Sequence, residues 1–215
     1  MKCKTILSYM VLLAFAFTPA SPLKAADPAI PPDRLQSTST GSSGAQAQDK
    51  PEAAKALPAP DPRDVSSVDA IMGAVYDVIS GPAGTERKWD RMRCLFAPGA
   101  RLIPTFHAKD SQAGAYTTRV LDVEQYISGG AKYFATNGFF EKEIARRSES
   151  FGHIAQVFST YESRHNAADP APFERGINSF QLMNDGKRWW IISIFWEGEG
   201  PGVQIPKELL TGVHD

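Results

Sequence analysis

The chain has 215 residues, of which 42% are hydrophobic, and its 23 basic and 24 acidic side chains give a formal net charge of −1. This balance, without a basic stripe, excludes the pattern typical of nucleic-acid-binding domains. The densest basic stretch, from Arg87 to Arg93, is interleaved with acidic residues and is typical of a solvated helix face.

The N-terminus has the three parts of a secretory signal peptide. Lys2 and Lys4 form a basic region, an apolar run covers residues 6–17, and small residues up to Ala26 follow. A membrane-spanning helix needs about 20 apolar residues, so this run is too short for a stable anchor. We predict a signal peptide over residues 1–26, with an uncleaved anchor as the alternative, and a periplasmic or secreted mature protein.

The composition changes sharply after the signal peptide. Residues 27–63 are rich in Pro, Ala, Ser, Gln and Gly, which bury too little apolar surface to offset the entropy of ordering. We predict a disordered linker there and one domain over residues 64–215. Cys94 is the single cysteine of that domain, so no intramolecular disulfide is predicted and a buried, inert thiol is expected.

Hydrophobic periodicity predicts helices first and strands afterwards. The predicted helices run from about Ser66 to Ile79, from Thr85 to Phe96, and from a cap at Asp122. The predicted strands are Ala100–Phe106, a short one through Val120, Phe139–Phe151, Ile154–Arg164, Gly176–Asn184 and Arg188–Trp196. This order predicts an α+β fold with helices packed on one face of a mostly antiparallel sheet.

The last predicted strand, Arg188–Trp196, is apolar at positions of both parities. In an antiparallel strand with one face in solvent, apolar and polar residues would alternate. Both faces of this strand are therefore expected to be covered. Helices cover one face, and a second copy of the chain is the simplest cover for the other. The sequence therefore predicts a homodimer.

Several stretches after the linker carry a family resemblance. They are the helix pair around 65–80 and 89–96, the run Pro98–Ile103, and the meander pieces Gly152–Glu162, Arg175–Leu182 and Gly186–Ile192. In this order they resemble the NTF2-like (SnoaL-like) superfamily. The resemblance implies a cone of three N-terminal helices on a strongly curved sheet, with a pocket in its mouth. Members include ketosteroid isomerase, scytalone dehydratase, polyketide cyclases and non-catalytic binding domains, so the fold alone does not fix the function.

The resemblance also implies where proton-transfer chemistry would lie, since enzymes of this superfamily hold a base and an oxyanion donor in the cone. His107, which ends the first strand, is the candidate base. Tyr76 is the candidate hydroxyl donor, and Asp110 is a further catalytic candidate at the mouth. The alternatives are a loop histidine and a core-edge tyrosine without catalytic roles. The sequence assigns no carboxylate to the inside of the cone, which weakens the catalytic hypothesis.

Strand parity adds candidates for ligand binding, because two strand faces mix aromatic and hydrogen-bonding side chains as small-ligand pockets do. The ligand-binding candidates on these faces are Phe158, Thr160, Arg164, Asn178 and Phe180, and Trp89 on the second predicted helix is a further candidate. An inward Arg164 would bind an anionic ligand. The alternative for Arg164 is an ion pair with Glu162 on the convex surface.

No histidine or cysteine spacing indicates a metal site, and no motif indicates a phosphate loop, flavin, haem or nicotinamide, so neither a metal nor a cofactor is predicted. The favoured function is an exported domain that binds a small, partly apolar molecule in its cone. One alternative is an isomerase, dehydratase or cyclase that acts by proton transfer. Another is a periplasmic interaction or assembly domain.

Overall fold

The computed structural model describes residues 58–108, 115–200 and 202–214. The helices are α1 (Pro62–Val65), α2 (Val68–Ile79), α3 (Trp89–Leu95) and α4 (Val123–Phe134). The strands are β1 (Phe96–His107), β2 (Tyr116–Thr118), β3 (Phe140–Phe151), β4 (Ile154–Arg164), β5 (Glu174–Asn184), β6 (Trp189–Gly198) and β7 (Val213–His214), and a 3-10 helix covers Lys207–Leu209. Within these ranges, no helix has the length and apolar character needed to span a membrane.

The strands of the described residues form one sheet in the order β2-β1-β6-β5-β4-β3-β7. Neighbouring strands are antiparallel except for β1 with β6 and β3 with β7. The register shifts once in each of the pairs β1–β6, β3–β4 and β5–β6, and bulges of this kind bend a strand. The predicted α+β fold with a mostly antiparallel sheet is confirmed.

Helices α2, α3 and α4 pack on one face of the sheet, which we call the inner face. Helix α2 buries Ile71, Val75 and Ile79, which recur at helical spacing. Strand β4 buries Ala155 and Val157, which alternate with the exposed Gln156 and Phe158. The core therefore lies between one stripe of each helix and the inner face of the sheet.

The observed elements agree closely with the predicted ones in the meander. Strand β4 has the predicted bounds, and Asp122 caps α4 with a reciprocal bond from Gln125. The cap of α2 differs from the prediction, because Ser67 and not Ser66 accepts the bond from the Ala70 amide, at 3.0 Å.

One buried guanidinium holds the loop between α2 and α3. Arg87 is 5% exposed. Its guanidinium lies over the Phe134 ring, with Arg87 Cζ 4.7 Å from the ring centroid. It donates hydrogen bonds of 2.7–3.2 Å to the carbonyls of Ile79, Gly81, Pro82 and Thr85. Because the Thr85 carbonyl is bound by this side chain and not by a helical amide, the helix predicted from Thr85 begins only at Trp89.

The outer face of the sheet, opposite the helices, is partly covered by the C-terminal segment. The carbonyl of Leu209 accepts a hydrogen bond from Thr160, that of Glu208 accepts one from Arg147, and β7 then pairs with β3. Apolar side chains that stay exposed on β4 and β6 are Ile154, Phe158, Ile192 and Phe195. The homodimer that would cover them stays a prediction.

The end of the segment assigned to the linker contacts the domain. The Cys94 thiol donates to the Pro58 carbonyl at 3.1 Å, and α1 begins at Pro62. The buried state predicted for this thiol is confirmed, since Cys94 is 6% exposed. The signal peptide and the linker up to residue 57 lie outside the described residues, so those assignments stay predictions.

We expect Arg87→Ala to lower the free energy of unfolding by about 2–4 kcal/mol, because one buried and three partly buried carbonyls would lose their donor. Urea unfolding at pH 7 measures this change. Arg101→Ala is the matched control, since Arg101 is exposed and bonds only the nearby Gly99 and Ala100 carbonyls. Its expected effect is about 0.5 kcal/mol or less. Equal effects of the two substitutions would show that the Arg87 guanidinium does not hold the loop.

Candidate functional site

Cross-strand register aligns inner-face residues of the central strands in rows. One row, at the end of the sheet where β3 begins, pairs Glu141 with Ser163 and Ser163 with Glu174. Because neighbouring strands lie about 4.8 Å apart, the Cα atoms of the two glutamates are about 10 Å apart. The sheet thus brings two carboxylates that are distant in sequence to one end of the inner face.

The next row leaves room for these side chains. Tyr161 pairs there with Gly176, and Gly176 with Gly198. A Cβ on Gly198 would lie 2.5 Å from Oε1 of Glu174, and a Cβ on Gly176 would lie 2.5 Å from the Tyr161 hydroxyl. The Glu174 carboxylate and the Tyr161 phenol therefore use the space above two glycines, and a methyl group at either position would displace them.

Both oxygens of Glu141 accept hydrogen bonds. Ser163 Oγ donates to Oε2 at 2.8 Å, and Asn178 Nδ2 donates to Oε1 at 3.3 Å. Burial raises the pKa of Glu141 to about 7; the charge of Glu174 also raises it, while the two hydrogen bonds lower it. The Glu141 carboxyl can therefore take up or release a proton near neutral pH.

The Glu174 carboxylate has no hydrogen bond or ion pair with another described residue, and burial raises its pKa to about 7. Tyr161 is 2% exposed, and its hydroxyl also lacks a hydrogen-bond partner within the described ranges. Burial, followed by the charges of Glu174 and Glu141, raises the pKa of Tyr161. The Tyr133 hydroxyl is buried without a described partner too. Polar groups of three side chains thus lie at this end of the cone without partners among the described residues.

Tyr76 belongs to a directed chain of hydrogen bonds. Ser159 Oγ donates its only proton to Glu143. The Tyr76 hydroxyl lies 2.7 Å from Ser159 Oγ and must therefore donate to it, while its own oxygen accepts from Asn178 Nδ2 at 3.1 Å. The Tyr76 proton thus points to Ser159, and the Asn178 amide is held with its second proton toward Glu141.

Arg146 joins this chain to helix α2. Its side chain is 7% exposed and lies 2.7 Å from Glu143 Oε1, and it also pairs with Asp69 in the first turn of α2. The Glu143 carboxylate is thereby fixed where it accepts from Ser159. The position of the inner-face network is therefore tied to the position of the helix.

Aromatic rings surround the two carboxylates on the side of α4. The ring pairs Tyr126–Trp196, Tyr133–Phe139 and Phe139–Phe173 have centroids 6.3, 6.2 and 6.2 Å apart. These side chains are half-buried, so solvent reaches them. We define the mouth cluster as Tyr126, Tyr133, Phe139, Glu141, Tyr161, Phe173, Glu174 and Trp196.

Two cavities, of about 550 and 410 Å³, lie elsewhere, and both are lined by Pro58, Pro60 and Cys94. The carboxylates of the larger cavity are paired: Asp64 lies 2.7 Å from Arg91, and Asp61 lies 2.6 Å from Arg63. In the mouth cluster, the Glu174 carboxylate and the hydroxyls of Tyr133 and Tyr161 have no such partner among the described residues, so we place the candidate site there. The described residues contain no group of three or more His, Cys, Asp or Glu that could hold a metal ion.

Three of the predicted site residues lie on the inner side of the cone. Tyr76 and Asn178 belong to the hydrogen-bond chain, and Phe180 packs edge-on against Tyr76 with ring centroids 6.3 Å apart. Trp89 is half-buried between α3 and α4, where it stacks on Phe134 at 6.0 Å. Tyr76, Asn178 and Phe180 therefore lie below the mouth cluster, and Trp89 lies to its side.

The other predicted residues are not brought to this site. Phe158, Thr160 and Arg164 lie on the outer face, because β4 aligns Ser159 with Asn178 and the neighbours of Ser159 point the other way. Arg164 pairs there with Glu162, which is the alternative given from the sequence.

His107 lies at the edge of the sheet, away from the mouth cluster. Its ring is 4.2 Å from that of Tyr116, and alternation along β1 places it on the outer face, since Leu102 and Pro104 align with inner-face residues of β6. Asp110 lies outside the described residues. A base in the cone would therefore be a residue other than His107.

Sequence reasoning missed Glu141, Glu174 and Tyr161. Charged residues occupy both parities at the start of β3, so alternation there does not separate inner from outer positions, and a bulge after Glu143 changes the parity. Gly176 within a strand pattern was the available signal, because such a glycine often marks the close approach of another group.

We expect Glu141→Gln to change the pH dependence of stability. The folded pKa of about 7 lies above the unfolded value of about 4.3. The contribution of Glu141 to the free energy of unfolding is therefore fully present below the pKa of the unfolded state, and it is lost as the pH rises through about 7. Because glutamine cannot ionise, the variant should gain about 1–3 kcal/mol of unfolding free energy over the wild type between pH 5 and pH 8. Urea unfolding at both pH values measures the gain.

Glu162→Gln is the control for this measurement. Hydrogen bonding to Arg164 lowers the pKa of Glu162, so its contribution is present above the unfolded pKa and is lost only in acid. The difference from wild type should then stay constant between pH 5 and pH 8. An equally constant difference for Glu141→Gln would contradict a raised pKa for Glu141.

No family model and no curated protein matches the sequence. Among solved structures, the chain is similar to a Nostoc punctiforme protein of unknown function with a cystatin-like fold (10% identity, 61% of this chain and 88% of that chain, TM-score 0.46). It is also similar to NTF2-like proteins of unknown function from Silicibacter pomeroyi (12% identity, 62% and 94%, TM-score 0.41) and Methylobacillus flagellatus (14% identity, 62% and 95%, TM-score 0.39). The chain's own architecture, with α2, α3 and α4 on the inner face of a mostly antiparallel sheet, is the one that the sequence resemblance implies.

Proposed function

We propose that this protein binds a small, partly apolar molecule at the mouth cluster. One observation carries the proposal: the Tyr133 hydroxyl is buried without a described hydrogen-bond partner, and the Glu174 carboxylate and the Tyr161 hydroxyl, at the same end of the cone, have no described partner either. Buried polar groups in proteins are almost always hydrogen-bonded. Ligand pockets combine apolar walls with a few convergent polar groups, and a ligand with its own hydrogen-bonding groups would complete this set.

The cone is closed by packed side chains below the mouth cluster, which favours a small ligand. Below the mouth cluster, a row of Val157, Phe180, Ile194 and Leu102 aligns across four strands, and each of these residues is at most 7% exposed. This packed row closes the inner end of the cone. A bound molecule would therefore lie between α4 and the strand ends, with its apolar part against the aromatic rings.

We also propose that the protein acts after export, in the periplasm or outside the cell. The support is the tripartite N-terminus with its basic region, short apolar run and small residues. A role in protein interaction or assembly would use the exposed outer-face residues Phe158 and Phe195, and such a role does not compete with ligand binding at the mouth.

Fragment-sized aromatic compounds should shift the NMR signal of the Trp196 indole, because this ring lines the mouth cluster. Trp196→Phe assigns the signal. Gly198→Val should abolish the shift, since a side chain at residue 198 meets the Glu174 carboxylate. Gly73→Val is the matched control, because no atom lies within 4 Å of a Cβ at residue 73. Thermal melting checks that both variants fold.

The NMR signal of the Trp190 indole shows in the same experiment whether the ligand binds at another place. Trp190 lines the smaller of the two cavities near Pro58. A shift confined to the Trp190 signal, unaffected by Gly198→Val, would place the ligand in that cavity and would contradict binding at the mouth cluster.

A second candidate function is proton transfer, as in an isomerase, dehydratase or cyclase. It is favoured by the Glu141 carboxyl, whose pKa of about 7 suits a general base at neutral pH. The donor to a developing oxyanion would be the Tyr161 hydroxyl. Tyr76 fits that role less well, because its proton is donated to Ser159.

Exchange of the α-protons of 2-tetralone into D2O, followed by NMR, tests for proton abstraction. We expect exchange above the uncatalysed rate, with a rate that rises with pH and levels off above about pH 7 as Glu141 loses its proton. Glu141→Gln should lower the rate by about 100-fold or more, and His107→Ala should leave it unchanged. The reverse pattern, with loss only in His107→Ala, would exclude Glu141 as the base.

A further inference from the structure

The basic side chains of the strand ends at the mouth lie on the outer face of the sheet together with the acidic Glu162, whereas Glu141 and Glu174 lie on the inner face. The basic residues Lys142, Arg164 and Arg175 occupy outer-face positions. Lys142 and Arg164 both pair with Glu162, and Arg175 pairs with Glu199 at 2.8 Å. Each of these three basic side chains therefore has a carboxylate partner other than Glu141 and Glu174.

On the inner face of the same end, no described basic side chain pairs with the carboxylates of Glu141 and Glu174. None of the described basic side chains contributes to the pKa shifts of Glu141 or Glu174, which come from burial, from the charge of Glu174 on Glu141, and from neutral hydrogen-bond donors. Arg146 lies two rows deeper, bound to Glu143 and Asp69. A buried carboxylate without a cation is costly, and a positive charge brought by a ligand would offset that cost.

The surroundings of the two carboxylates also suit a cation. The faces of Tyr and Trp rings attract positive charge, and Tyr126 and Trp196 are in contact beside Glu141, whose charge raises the pKa of Tyr126. Tyr133 lies near Glu174, whose charge raises its pKa. The unpartnered oxygens of Tyr133 and Tyr161 can accept hydrogen bonds from an ammonium group.

We infer that the mouth cluster binds an organic cation, with a protonated amine between Glu141 and Glu174 and an apolar body against the aromatic rings. The inference rests on the proposed binding function and adds the charge of the ligand to it. It differs from the anionic ligand considered from the sequence, which required an inward Arg164; that side chain lies on the outer face, paired with Glu162.

Three probes of matched size test the sign of the charge: 2-phenylethylamine, 2-phenylethanol and phenylacetate. Titrations of the full chain, followed by the Trp196 indole signal at pH 8, give their dissociation constants. The amine should bind about tenfold more tightly than the alcohol, and phenylacetate should bind most weakly. Between pH 8 and pH 5.5 the affinity for the amine should fall, because Glu141 and Glu174 become protonated. The affinity for the alcohol should stay constant over the same range.

Two variants separate recognition of charge from general damage. Glu174→Gln should weaken amine binding about tenfold and change alcohol binding by about twofold or less. Glu162→Gln removes the same charge from the outer face of the same strand ends and should change neither. Glu141→Gln provides a second inner-face variant, and thermal melting shows that each variant folds.

The outcomes distinguish this inference from the function on which it rests. Binding of the alcohol or phenylacetate as tightly as the amine, or an unchanged amine affinity in both Glu174→Gln and Glu141→Gln, would overturn the cationic ligand and leave the binding function standing. No binding of any of the three probes at the Trp196 indole would overturn both.

Discussion

The burial of two carboxylates at one end of the inner face is the constraint on which the rest of the structure depends. A carboxylate removed from water is costly unless it is hydrogen-bonded or protonated. Glu141 meets this requirement with bonds from Ser163 and Asn178. Asn178 can donate to it because Tyr76 holds the amide, and Tyr76 is held in turn through Ser159. Glu174 has no such support, and this asymmetry makes its end of the cone receptive to a partner from outside.

The site and the core occupy different levels of the same sheet. Toward the packed end, rows of apolar side chains such as Val157 and Phe180 stabilise the fold. Toward the mouth, polar and aromatic side chains project from strand ends and from α4, on elements rigid enough to hold a binding geometry. Binding and proton transfer would both use Glu141. The identity of the ligand can therefore change through substitutions at the mouth with little effect on the packing below.

The elements were predictable from the sequence because their apolar patterns are strong, as the bounds of β4 show. The pattern also showed correctly that Asn178 and Phe180 share a face. It could not show which face of β4 is the inner one, since Phe158 and Thr160 on one side resemble Val157 and Tyr161 on the other in their mixture of aromatic, aliphatic and hydroxyl groups. The C-terminal segment buries Thr160 on the outer face, which makes that face look internal. Pairing across strands, which aligns Glu141 with Glu174, is a long-range property that local periodicity does not contain.

The pairing of β7 with β3 also bears on how the protein behaves at high concentration. A strand at the edge of a sheet presents free backbone amides and carbonyls, and these recruit strands from other molecules. Here two residues of the C-terminal segment occupy that position on β3, beside Arg146 and Arg147. Removing the C-terminal residues would therefore expose the unpaired backbone groups of β3 and would also uncover part of the outer face. The shortened chain would be prone to aggregate even with its core and its mouth cluster intact.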